Sequence, residues 1–300
     1  LGSLQANGRV FLTNPAGITF GATAEINVGG LVASTLNISN EDFLAGNYVF
    51  EGDSAAAIAN SGRIQATGGG PVALVAARVV NTGEITANAG SVAIGAGRRV
   101  RLDLGGPVQL DVEEAAVDAL IEQGGAIRAD DGRVVMEARA AGDVAATVIN
   151  HTGITRAQSI TRGPSGGIYL TGNGRVSVVG NSTVSAAGAE GGTIEVRAGS
   201  AMIGGTLDVS SSAEGVAGGR IAIATEAALD LAGEQRANSS GGDGGQIDIS
   251  AARIVETSSS RTRADGAESG GTIRVRSQGM LLSSGEYTAS GETGRGGAID

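Results

Sequence analysis

Along most of the chain, apolar residues occupy every second position in runs of five or six, the pattern of half-buried strands. In Thr193-Ile194-Glu195-Val196-Arg197, apolar side chains alternate with polar ones directly after a Gly-Gly turn. The run returns as GGIYL, GGTIEV, GGRIAI, GGQIDI, GGTIRV and GGAID, with leading residues Ile168, Ile194, Ile221, Ile247, Ile273 and Ile299 spaced by 26, 27, 26, 26 and 26 residues. A fixed period of this length marks a solenoid. A second apolar position is expected eight residues beyond each leading Ile, at Val176, Met202, Leu229, Val255 and Leu281. A small, polar third side, such as NSSGGDGG or ADGAESGG, closes the unit. Three short strands per unit describe one coil of a right-handed parallel β-helix, an all-β fold whose equivalent positions stack about 4.8 Å apart. Ile194, Ile221, Ile247 and Ile273 then form one buried ladder and Val196, Ile223, Ile249 and Val275 another, while outward Asp248, Arg274 and Asp300 alternate in sign.

The first half carries shorter units. NSGRIQA at Asn60 returns as NTGEITA at Asn81, 21 residues on, and PVALVA at Pro71 returns as SVAIGA at Ser91, 20 residues on. NHTGITRA, from Asn150, is a looser copy. The winding therefore begins well before the longer units, with a change of coil perimeter expected near Arg156 to Gly166. One segment departs from period two. LDVEEAAVDALIEQGG places Asp111 and Glu114 as a capping box, Val112, Val117, Leu120 and Ile121 as an apolar stripe, and Gly124 as a stop. This spacing predicts one short amphipathic helix, Val112 to Gln123, on the side of the rod.

Composition narrows the function classes. Gly reaches 52 residues against 4 Pro without a strict period of three, which excludes collagen. Apolar residues make up 41% and aromatics 2%, so the interior must be filled by Val, Ile, Leu and Ala. A net charge of −10, with Arg as the sole strong base, does not suit nucleic acid. The absence of Cys removes disulfides and thiolate metal sites and suits passage through a narrow pore. There is no apolar run of transmembrane-helix length.

Candidate chemistry is sparse. Asp130 with Asp131 in ADDGR, and Asp243, are read as turn residues. GGDGGQIDI departs from the calcium-binding nonapeptide at Gln246, and His151, the single His, has no partners for a metal site. Arg261 and Arg263 read as a solvated face. No catalytic residue, metal or cofactor is assigned. A polysaccharide lyase or hydrolase on a β-helix is the alternative class, and it requires acids converging in one groove.

The stretch LGSLQANGRVFLTNPAGITFGATAEINVGGLVASTLNISNEDFLAGNYVFEG resembles the haemagglutination-activity domain of two-partner secretion exoproteins, the filamentous haemagglutinin family. GSVAIGAGRRVRLDL and DVEEAAVDALIEQGGAIRADDGRVVMEARAA continue the likeness. The resemblance implies that residues 1–160 are the C-terminal part of that domain and 161–300 a β-helical shaft continuous with it. The family's Asn-Pro-Asn-Gly turn reads here as Asn14, Pro15, Ala16 and Gly17, followed by Ile18. By resemblance Asn14, Pro15, Gly17 and Ile18 form a secretion motif recognised by an outer-membrane transporter. A signal peptide, N-terminal cap strands and an earlier secretion motif are expected upstream. The implied product is a non-enzymatic adhesin, exported through the periplasm to the surface of a Gram-negative-type cell. A monomer is expected, with a host-cell or bacterial surface glycan or protein as ligand.

Overall fold

The computed structural model describes residues 2–142, 146–160 and 166–300. Its strands join into one 26-stranded sheet, with a separate sheet of three strands on the side. The large sheet pairs in parallel, each strand lying on its equivalent in the next coil. Ile168, Ile194, Ile221, Ile247, Ile273 and Ile299 stack in register. The same column runs upward through Val134, Val92, Val72 and Leu31 to Val10. From Leu31 to Ile273 its members are buried. Side chains of this size fill most of the narrow interior because each contacts its copy above and below, and Phe20 joins them in the core.

The second apolar column follows another register. Val176, Ala201, Leu229, Ile254 and Leu281 stack together. The expected Met202 and Val255 lie one residue further along, paired with Asp230. The corner before this strand shifts register between Gly172 and Arg175 and again between Ala251 and Arg253. The inward position thus falls seven residues after Ile194 and Ile247 but eight after Ile168 and Ile221. With period-two side chains, one residue exchanges inside for outside.

The helix expected over Val112 to Gln123 is absent, and the segment forms two strands, Gln109–Glu114 and Leu120–Gln123. Gln109–Glu114 pairs antiparallel with Arg99–Asp103, which pairs antiparallel with Tyr48–Glu51. Leu110 and Val112, two apart, are buried, whereas Val117 is 72% exposed, so the helical stripe has no face to cover. Ile121 instead stacks between Val79 and Ile149 in the coil. Glu114 caps nothing and accepts from the Arg98 guanidinium at 2.8 Å. The three strands bury Phe50, Val100, Leu102, Leu110 and Val112 on Val32, Ala73, Val75 and Ala93 of the rod. Val72–Ala76 and Ser91–Ala96 are therefore buried at every residue, with core on both faces.

Among the described residues the α-helix is Asn40–Ala45. Ser39 caps it by accepting from the Asp42 N–H at 3.0 Å, and Gly46 ends it at φ 73°. No helix is long and apolar enough to cross a membrane among the described residues. The expected perimeter change falls partly on residues 161–165, outside the described residues.

Candidate secretion motif

Asn14 follows the strand Ser3–Thr13, and its N–H donates to the Ser34 carbonyl of the next coil at 2.9 Å. The chain then reverses: the Gly17 N–H donates to the Asn14 carbonyl at 3.0 Å, closing a four-residue turn. Pro15 presets the backbone for the second position of such a turn. The Asn14 side chain works within it, with Oδ1 accepting from the Ala16 N–H at 3.1 Å and Nδ2 donating to the Gly17 carbonyl at 3.0 Å. Gly17 has φ 109°, a region that favours glycine, and a Cβ there would stand 3.3 Å from the Ala57 carbonyl oxygen. Ile18 begins the strand Ile18–Phe20 and is buried on Ile58.

The four residues thus split by role. Asn14 and Pro15 are exposed together with Ala16, Gly17 shapes the reversal, and Ile18 anchors it in the core. The site carries no ionisable side chain.

The three carboxylates singled out in the sequence, Asp130, Asp131 and Asp243, accept hydrogen bonds within the coil framework. Asp130 is 3% exposed and accepts from Arg156 Nε at 3.0 Å and from the Gln158 N–H at 3.2 Å. Asp131, at φ 57°, accepts from the Ile160 N–H at 2.8 Å. Asp243 accepts from the Ser269 N–H at 2.9 Å. Arg261 meets Glu286 at 3.3 Å and Arg263 meets Glu234 at 3.2 Å, both on the outer face. His151 is fully buried, with Nε2 2.9 Å from the Thr155 hydroxyl, and burial pulls its pKa down to about 4. No group of three His, Asp or Glu able to hold a metal occurs among the described residues.

One polar feature was not anticipated from the sequence. Asn60 Nδ2 donates to Asn81 Oδ1 at 2.8 Å, and Asn81 Nδ2 donates to Gln123 Oε1 at 2.7 Å, all three buried. His151 stacks directly on Gln123. The signal was present in NSG, NTG, QGG and HTG, where a polar residue stands two before Gly.

Stacked parallel coils, with a tight turn at Asn14–Gly17 and with Asp130, Asp131 and Asp243 bonded within the coil framework, define a β-solenoid. The TPS secretion domain family matches residues 1–162, and the chain belongs to that family. Over 145 residues, 43% of this chain, it is 32% identical to the heme/hemopexin-binding protein of Haemophilus influenzae, and it spans only 15% of that relative's length. The crystal structure of the HMW1 secretion domain from Haemophilus influenzae matches 100% of this chain and 82% of its own, at 26% identity and a TM-score of 0.83. The family match thus ends near the start of the 26-residue units, while the structural likeness continues through them.

Proposed function

We propose that this chain is the exported N-terminal part of a non-enzymatic, adhesin-type surface exoprotein. An outer-membrane transporter of the two-partner type engages residues 1–160, and residues 161–300 begin the shaft that carries the molecule away from the cell. The single observation behind this reading is the TPS secretion domain match over residues 1–162. A parallel coil suits the route, because each coil emerging outside buries its apolar faces on the one before it. Asn14, Pro15, Gly17 and Ile18 are the recognition motif. Use of the Asn14 amide inside its own turn supports recognition through backbone shape. The displayed molecule acts as a monomer on a host-cell or bacterial surface glycan or protein.

The test is export of the full-length precursor in cells carrying its transporter. Asn14→Ala with Gly17→Val removes the two Asn14 side-chain bonds within the turn and places a branched residue at φ 109°. Ile247→Asp damages the shaft and leaves the turn intact. Loss of surface protein for the turn variant with export of the shaft variant supports the motif, and parental export of the turn variant rejects it.

A further inference from the structure

The turn at Asn14–Gly17 is not held by its own residues alone. Ser54, 39 residues after Pro15, donates its hydroxyl to the Pro15 carbonyl at 2.7 Å. Ser54 ends an excursion that leaves the coil after Thr35, forms the helix Asn40–Ala45 and the strand Tyr48–Glu51, and rejoins at the strand Ala57–Asn60. The residues before Ser54 are fixed by a still later part of the chain. The Gly52 N–H donates to the Arg98 carbonyl at 3.0 Å, and Arg98 Nη1 donates to Asp53 Oδ1 at 2.9 Å. Arg98 is itself placed by Glu114, whose carbonyl accepts its N–H at 2.8 Å and whose carboxylate accepts its Nη2 at 2.8 Å. Gly52, Asp53 and Ser54 therefore bridge from Arg98 to the turn.

The geometry points to Ser54 and Arg98 as positioning residues of the secretion motif. Arg98 holds Gly52 and Asp53, these present Ser54 to Pro15, and the turn reaches its locked form only after residues up to Glu114 have joined the fold. This rests on the reading of Asn14–Ile18 as the transporter-recognised turn. Winding coil by coil would settle that turn as soon as Ile58 stacked on Ile18. Before Arg99–Asp103 arrives, however, Tyr48–Glu51 is held to the earlier chain by the single antiparallel bridge of Glu51 to Asn37, and Tyr48, Val49 and Phe50 gain their cross-strand partners from Arg99–Asp103. A chain delivered N-terminus first carries a looser turn while the transporter holds it and a locked turn once the side sheet has closed. The lock thereby reports that the first part of the domain has been delivered, and release of the N-terminal region follows it.

The decisive measurement is hydrogen exchange of the Gly17 amide, which is bonded to the Asn14 carbonyl, in the intact chain. Ser54→Ala removes the bond to Pro15 and the one the hydroxyl accepts from the Ala56 N–H at 3.2 Å, and loss of the first is expected to accelerate exchange roughly fivefold. Arg98→Met is expected to accelerate it roughly twofold, because the Arg98–Asp53 pair is exposed. Ser54→Thr and Arg98→Lys should restore slow exchange. Arg101→Met, which removes an ion pair to Glu113 on the same sheet at 2.6 Å, should leave Gly17 unchanged. The urea midpoint should stay at the parental value in Ser54→Ala and Arg98→Met. Unchanged Gly17 exchange in both variants overturns the inference, as does acceleration that merely tracks loss of global stability. An effect of Ser54→Ala without one of Arg98→Met removes Arg98 from the lock. Pulse-chase export of the full-length precursor forms the second arm, in which Ser54→Ala is expected to slow release from the transporter. Faster Gly17 exchange with parental export leaves the positioning role standing and rejects the transporter's reading of the turn.

Discussion

The Asp130 carboxylate reaches from one coil to the Arg156 guanidinium of the next, with Oδ1 3.0 Å from Nε and Oδ2 2.5 Å from Nη2. Its side chain is 4% exposed against 38% for Arg156, so the acid is the partner that depends on the pair. Arg156→Ala strands a nearly buried carboxylate and is expected to lower stability by about 2 kcal/mol, below the full buried-pair range because Arg156 is partly solvated. Asp130→Asn retains an acceptor for the Gln158 N–H and should lose about half as much. Urea unfolding of the two variants measures the difference, and equal losses would contradict the asymmetry.

Ile247→Asp places a charge in a dry column between Ile221 and Ile273, and is expected to destabilise by more than about 4 kcal/mol. Asp248→Asn, one residue on and facing out, weakens contacts to Arg220 at 2.7 Å and Arg274 at 3.8 Å. Its effect should stay within about 1 kcal/mol. Thermal melts of the pair test the assignment of the two faces.

Acid should act through His151. Its folded pKa of about 4 lies below the ordinary value of 6.5, so the unfolded chain takes up the proton first. The stabilising contribution is complete above about pH 6.5 and is lost as pH falls toward 4, amounting to about 3 kcal/mol at the full shift. His151→Gln should flatten stability between pH 6.5 and 4 relative to the parent. Denaturant midpoints at several pH values give the slopes, and parallel curves would remove His151 as the source.

Gly125 and Gly46 separate close approach from dihedral strain. A Cβ on Gly125 would lie 2.1 Å from the Gly83 carbonyl oxygen, while one on Gly46 meets nothing within 4 Å but stands at φ 73°. Gly46→Ala is expected to lower stability by about 1 kcal/mol. Gly125→Ala, which forces two coils apart, should exceed about 3 kcal/mol. Calorimetric melting of both variants makes the comparison.

The sequence by itself determined the coil, because a rod that repeats one cross-section must repeat its inward residues, and Ile194, Ile221, Ile247 and Ile273 do so at a nearly constant interval. It also determined the local reversal at Asn14–Gly17, whose closing hydrogen bonds lie within four residues. Tertiary structure decided what depends on distant partners. Met202 and Val255 face outward because a corner varies by one residue, and composition does not record a corner's length. Leu110 and Val112 lie on a strand because Arg99–Asp103 and Tyr48–Glu51 provide its antiparallel neighbours, and their cross-strand bonds override a helix-like spacing. Ser54 and Arg98 carry no motif of their own. They act on the turn only because two excursions from the coil, far apart in sequence, meet on the same side of the rod, and hydrogen bonding follows distance in space, not separation along the chain.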